Sequence, residues 1–188
     1  MGRRTTAAVA VLAGVLIAAT GCDATNGGTA TPSSTTDKAA ATAALWDPCT
    51  QISDDVLRKV GVDPSTRDTT ISGVENVPGW KLCSWHDKPS RWSYDLGVWS
   101  TIYSIEDVKG DENNIEFTDV SIAGRSGVRF RKAHDTDGNV CYLAFPASTQ
   151  TIEISVYKAF TTKTPANDRD PCSIASTAAE TIVPVLPS

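Results

Sequence analysis

The sequence predicts an α+β domain: an antiparallel sheet of about five to seven strands, flanked by an N-terminal and a C-terminal helix and stapled by two disulfides. Three observations predict it. Apolar spacing is helical at both ends of residues 45–188 and alternates in between. Two similar helix entries, "WDPCTQIS" and "RDPCSIAS", bracket the alternating region. Four cysteines are spread across it without the close pairing that a metal site requires.

The folded region opens at Leu45-Trp46. In "DPCTQISDDVLRKVGV", Asp47 precedes Pro48, which suits an N-cap followed by the first helical position. Ile52, Val56, Leu57 and Val60 then share a face, and Gly61 ends the helix. The period next changes to two. Leu82, Ser84 and His86 alternate with Cys83 and Trp85, and Trp92, Tyr94, Leu96 and Val98 are expected on one face of the following strand. "TDVSIAG" and "RSGVRFRKA" are joined by a glycine turn, with Val128 and Phe130 inward and Arg129 and Arg131 outward. "HDTDGNV" supplies an Asp-Gly turn into "VCYLAF", and "TIEISVY" places Ile152, Ile154 and Val156 inward. These strands read as a meander. In "DPCSIASTAAETIVPVL", Asp170 and Pro171 repeat the helix entry, Ile174, Ala178 and Ile182 line one side, and Pro184 stops the helix.

Residues 1–44 have a different character. Arg3 and Arg4 precede a short run of apolar and small residues, less than the roughly 20 that span a bilayer, so residues 1–21 read as a signal peptide. The run ends in Ala19-Thr20-Gly21-Cys22, which resembles the lipobox of bacterial lipoproteins, with Ala19 where Leu is usual. That resemblance implies a diacylglyceryl (palmitate-type) lipid on Cys22. Ordinary signal cleavage, leaving a free thiol, is the alternative. Residues 23–44, rich in Thr, Ser, Ala and Gly, complete a flexible tether over 22–44. The expected address is therefore extracytoplasmic, on the outer face of the cell membrane.

Of five cysteines, assigning Cys22 to lipid leaves Cys49, Cys83, Cys141 and Cys172 for disulfides, with three pairings open. The matched contexts of the two helix cysteines and of the two strand cysteines favour Cys49–Cys172 and Cys83–Cys141. Removing Arg3 and Arg4 from 17 basic and 22 acidic residues takes the net charge from −5 to about −7. Such an acidic chain, without a basic cluster, argues against nucleic acid as a partner.

"WDPCTQISDDVLRKVGV", "CSW" before an alternating strand, "DVSIAGRSGV", "VCYLAF" and "DPCSIASTAAETIV" occur in that order. With the lipobox they resemble the actinobacterial lipoproteins grouped as domain of unknown function 3558. The resemblance covers roughly residues 45–186 and implies an exported, envelope-anchored domain. It carries over no catalytic residues. A looser likeness is to small α+β envelope proteins of the Mog1/PsbP kind.

No G-x-S-x-G elbow, phosphate loop or dinucleotide fingerprint is present. Ser84 and His86 share a strand face, but a nucleophile pair also needs an orienting acid and an oxyanion hole. Glu106, Asp107, Asp111, Glu112 and Glu116 form an acidic stretch, and Asp135, Asp137 and Asn139 another; neither has calcium-loop spacing. Trp99 is expected on the sheet face opposite Tyr94 and Leu96, where it could contact a partner or ligand. The expected function is a non-enzymatic interaction or accessory module of the envelope, with no cofactor or metal. Its membrane contact is the lipid on Cys22, and its other partner an envelope protein. The alternatives are a carrier of a lipid or small hydrophobic ligand between sheet and helix, and a hydrolase.

Overall fold

The computed structural model describes residues 35–159 and 169–188. The expected signal peptide, Cys22 and the first part of the tether lie outside the described residues. Helix α1 (Thr35–Ala44) occupies the second part of the stretch read as a flexible tether. Its alanines favour helix, and it is held by polar contacts at its C-terminal end. The Thr42 hydroxyl accepts from the Gly79 N–H at 2.6 Å, and the Lys81 ammonium donates to the carbonyls of Ala43 and Leu45.

The single helix expected after Asp47 is two. In α2 (Pro48–Gln51) the Asp47 carboxylate accepts from the Cys49 N–H, and in α3 (Asp54–Val60) the Ser53 hydroxyl accepts from the Val56 N–H. Ser53 starts a new helix, so Ile52 becomes an extended, buried hinge between the two. Gly61 ends α3 at φ 96°, its N–H reaching the carbonyls of Leu57 and Arg58.

The strands are β1 (Trp80–His86), β2 (Tyr94–Thr101), β3 (Asn114–Ile122), β4 (Arg125–Lys132), β5 (Val140–Ala147) and β6 (Gln150–Lys158). A short helix α4 (Ile105–Gly110) joins β2 to β3, and α5 (Pro171–Ile182) follows β6. All six strands form one antiparallel sheet in the order β1-β2-β6-β5-β4-β3. This is not the uninterrupted meander that the sequence suggests. After β2 the chain crosses to the far edge, and β3 to β6 then return strand by strand until β6 pairs with β2. That crossover carries α4 over one face of the sheet.

The other face is covered by α5, α2 and α3. Cys83, Trp85, Tyr94, Leu96 and Val98 meet Leu143, Phe145, Ile152, Ile154 and Val156 there, and Ile174, Ala178 and Ile182 of α5 close the core. Trp92 does not join them. It precedes β2 and stacks on His86 at 4.3 Å between ring centroids. Val128 and Phe130 are inward as expected, but toward α4, where they form a second small core with Val108 and Ala144. Arg131 lies on the α5 side and donates to the Asp170 carboxylate at 2.9 Å. Glu116 at φ 57° sits in a bulge of β3, after which Phe117 stacks on Phe130.

All four expected cysteines are bridged, but the expected partners are wrong: the bonds are Cys49–Cys83 and Cys141–Cys172. The physical reason is strand order. β1 and β5 are separated by β2 and β6, so Cys83 and Cys141 lie roughly 14 Å apart across three strand spacings, beyond disulfide reach. Each bridge instead ties the first turn of a helix to the strand beneath it. Closing sequence separations of 34 and 31 residues stabilises the fold by about 4 kcal/mol each in the chain-entropy model. Non-reducing digestion is expected to yield peptides linked through Cys49–Cys83 and Cys141–Cys172. Replacing either pair with alanine is expected to cost about 2–4 kcal/mol in denaturant unfolding. A peptide joining Cys83 to Cys141 would refute this topology.

Candidate functional site

The half of the sheet that α4 crosses holds a cavity of about 470 Å³. α4 and the residues on either side of it form one wall, through Tyr103, Glu106, Asp107, Val108 and Asp111. Trp80 from the start of β1, Asn114 from β3 and Lys132 from β4 form the others, and Glu153 of β6 lies at the floor. Four stretches of sequence, at Trp80, at residues 103–114, at Lys132 and at Glu153, meet here because the crossover connection passes over the central strand.

The wall is fixed by local chemistry. The Ser104 hydroxyl accepts from the Asp107 N–H, and the Asp107 carboxylate accepts from the Ser104 N–H, a capping box that sets the start of α4. Asn114 ties the helix to the sheet: its amide donates to the Val108 carbonyl at 2.8 Å, and its side-chain oxygen accepts from the Lys132 ammonium at 2.6 Å. The Lys132 ammonium also stands 5.5 and 5.2 Å from the ring centroids of Phe130 and Tyr142. Burial, with the charges of Glu153 and Asp135 nearby, pushes the Tyr142 hydroxyl up to about 12. Trp80 and Tyr103 make an aromatic corner with centroids 5.8 Å apart, and Trp80 rests edge-to-face against Trp99 at 6.0 Å.

Glu153 is the unusual member. It is only 4% exposed, and among the described residues no donor reaches its carboxylate. Burial raises its pKa from 4.5 to about 7; Lys132 opposes the shift and Asp111 adds to it. Above that pH the carboxylate carries its charge in the cavity without a partner among the described residues.

The structure places Trp99 on the face opposite the large core, as its strand position predicts. It does not project outward. It lies across Gly97 and donates from its indole to the Ser155 hydroxyl at 2.9 Å. A methyl on residue 97 would stand 2.6 Å from the Ser155 oxygen and 2.8 Å from the Trp99 nitrogen, so glycine is required there. Trp99 thus supports Trp80 from behind.

Ser84 and His86 lie on that same face beside Asp95, a carboxylate that sequence spacing does not reveal. The Asp95 Oδ2 is 3.6 Å from His86 Nε2, too far for a hydrogen bond, and the Ser84 hydroxyl acts on the same carboxylate in favour of its ionised form. Burial raises Asp95 from 3.8 to about 6, with the Ser84 hydroxyl opposing the shift, and burial lowers His86 against the pull of Asp87 and Asp68. The acid therefore stands between the hydroxyl and the imidazole. Nucleophile activation requires the imidazole in the middle, so this arrangement does not make a serine nucleophile.

The acidic stretch after Ile105 is dispersed by structure. Asp107 caps α4, Asp111 accepts from the Asn113 N–H and amide, and Glu116 faces Arg131 at 3.6 Å. Those two hydrogen bonds hold the Asp111 carboxyl below its ordinary pKa. In the second stretch, Asp135 accepts from the N–H groups of Asn139 and Val140 and shapes the turn into β5. Among the described residues no group of carboxylates, histidines and cysteines converges as metal ligands.

Sequence reasoning missed Glu153, Lys132, Asn114, Trp80 and Tyr103 as site residues. Glu153 occupies the outward phase of "TIEISVY", the pattern of an ordinary half-exposed strand. Only the strand order shows that this phase is buried as well.

The raised pKa carries a stability consequence. Between pH 4.5 and about 7 the folded state keeps a proton on Glu153 that the unfolded chain has lost, so stability falls as pH rises through that window. The cost is absent below it and complete above it. Glu153→Gln is expected to stabilise the protein by about 3 kcal/mol at pH 8 and by about 1 kcal/mol or less at pH 5 in chemical denaturation. Equal gains at the two pH values would show that the ionised carboxylate is not the source.

The chain belongs to the family described as protein of unknown function (DUF3558), whose family model matches residues 17–185. No curated protein and no solved structure matches it.

Proposed function

Taking that membership as premise, we propose that the protein is an extracytoplasmic binding module, held at the outer face of the membrane by a lipid on Cys22 and working by recognition rather than bond breaking. The observation that supports recognition is the carboxylate of Glu153, without a partner among the described residues, at the floor of an aromatic-walled cavity. A buried charge without a partner is costly in the free protein, and a ligand that pairs with it recovers that cost. The cavity lies within the range of about 300–1,000 Å³ usual for small-ligand sites.

Two further points favour the address. Disulfides persist in oxidising compartments, and the two bridges take up four of the five cysteines, leaving Cys22 outside them. The mature chain would then stand off the membrane on residues 23–34, with α1 as the transition to the folded domain. An enclosed lipid between sheet and helix is the less favoured reading. Leu143, Phe145, Ile152, Ile154 and Ile182, all at 0% exposure, fill that space.

Two measurements test this reading. Cells fed an alkyne-tagged palmitate are expected to label the wild-type protein and not Cys22→Ala, and Cys22→Ala is expected to move from the membrane fraction to the medium. Labelling or membrane retention that survives the substitution would overturn the anchor. In the second, ligand-observed NMR with a fragment set of mixed charge is expected to find binders that Trp80→Ala abolishes. A set in which no charge class yields a Trp80-dependent binder would overturn the binding role.

A further inference from the structure

We infer that the cavity under α4 recognises an organic ammonium group, whose N–H donors pair with the Glu153 carboxylate while its carbon skeleton lies against Trp80 and Tyr103. This rests on the binding role proposed above and assigns its ligand class.

Three independent features converge on a cation that carries hydrogen-bond donors. The first is Glu153, 4% exposed and facing the cavity with no donor from the described residues. An ionised carboxylate only accepts hydrogen bonds, so its complement must donate them. The second is the charge of the lining. Glu106, Asp107, Asp111 and Glu153 face one basic residue, Lys132. Lys132 is already engaged by the Asn114 oxygen at 2.6 Å and by two ring faces. An anionic ligand would meet the field of four carboxylates and gain only a lysine that must first give up these contacts. The third is the aromatic corner. Trp80 and Tyr103, with ring planes inclined at 43°, both line the cavity that Glu153 lines. Indole and phenol faces attract cations and also cover apolar carbon.

A bare metal ion does not fit the same site. Asp107 and Asp111 are turned to backbone and side-chain donors of their own loop, and among the described residues no set of ligands converges. A hard divalent cation needs about six oxygens around it. An ammonium needs fewer acceptors and uses the ring faces that a metal ion cannot. The size of the cavity admits an amine carrying a ring or a short chain, with room beyond the two or three atoms that contact Glu153.

The test uses the full-length protein in detergent micelles at pH 8 and three probes that share one phenyl ring: phenethylammonium chloride, 2-phenylethanol and sodium phenylacetate. Binding is followed by calorimetry and by the Trp80 indole N–H resonance, assigned with Trp80→Phe. Phenethylammonium is expected to bind and to shift that resonance, with affinity at least about tenfold above the alcohol. Glu153→Gln is expected to lower the amine's affinity by about tenfold or more and to leave the alcohol's unchanged. The melting temperature of Glu153→Gln, at or above wild type, shows that the fold is kept. Asp137→Asn, in the distant turn before β5, is expected to bind as wild type.

Tighter binding of phenylacetate than of the amine would overturn the inference and make Lys132 the recognition group, with the binding role intact. So would equal binding of amine and alcohol, or an amine affinity within twofold of wild type in Glu153→Gln. No binding of the amine at 10 mM, where a fragment of another class does bind through Trp80, would overturn the ligand class alone. Failure of every fragment would remove the binding role itself.

Discussion

Everything in this molecule depends on where β6 lies. It pairs with β2 on one side along eight positions and with β5 on the other along eight, so it is the strand on which the two halves of the sheet meet. Its alternate residues are buried on both faces: Ile152, Ile154 and Val156 against α5, and Thr151, Glu153 and Ser155 on the other side. A strand buried on both faces ordinarily reads as a continuous apolar run. Here one face is polar and still shielded from water. The chain meets that demand with the Ser155 hydroxyl, which accepts from the Trp99 indole, and with a carboxylate that finds no partner among the described residues.

The cover for that face comes from topology. If β3 followed β2 as a hairpin neighbour, no segment would need to pass over the sheet. Because β6 takes the place beside β2, the link from β2 to β3 must span the whole half-sheet, and α4 is part of that span. Its one buried residue, Val108, joins Val128, Phe130 and Ala144. That contact is small for a helix of six residues, and the Asn114 bridge to the Val108 carbonyl supplies much of the remaining attachment. The cavity is the space left where a short helix rests on a wide sheet. The two disulfides act on the opposite layer, where they fasten α2 to β1 and α5 to β5 and leave the α4 side to noncovalent contacts.

Much of the architecture is legible in the sequence. Helix entries at Asp47-Pro48 and Asp170-Pro171, the stop at Gly61 and the inward phase of Ile152, Ile154 and Val156 all follow from local rules. Nonlocal order does not. The contexts of Cys49 and Cys172 match because both lie in the first turn of a helix capped by aspartate, and that likeness is a property of caps, with no bearing on proximity. Trp92 fits the period of β2 but precedes the strand, since Asp87 captures the Ser93 N–H at 2.6 Å and the loop turns there. The acidic stretch was visible as charge, while its division into a helix cap, a turn and a salt bridge depends on Arg131 and Asn113. The site is the least legible part because its floor is one glutamate in an unremarkable alternating strand.

Local rules that fail without structural compensation mark the places where something other than stability is being met. On this face two carboxylates are held against their ionisation, Asp95 and Glu153, and their surroundings differ. Asp95 keeps 23% of its side-chain exposure, stands 3.6 Å from His86 and is favoured in its ionised form by the Ser84 hydroxyl. Its burial is incomplete and water reaches it, so a structural role accounts for it. Glu153 has a lysine in the same cavity, but Lys132 is turned to Asn114 and lies beyond pairing distance. A fold selected for stability alone would bring that ammonium to the carboxylate or replace the carboxylate with glutamine. Holding the two apart keeps an acceptor exposed to the cavity and a donor pinned to its wall. That separation is intelligible as the preorganised half of an ion pair whose other half arrives from outside.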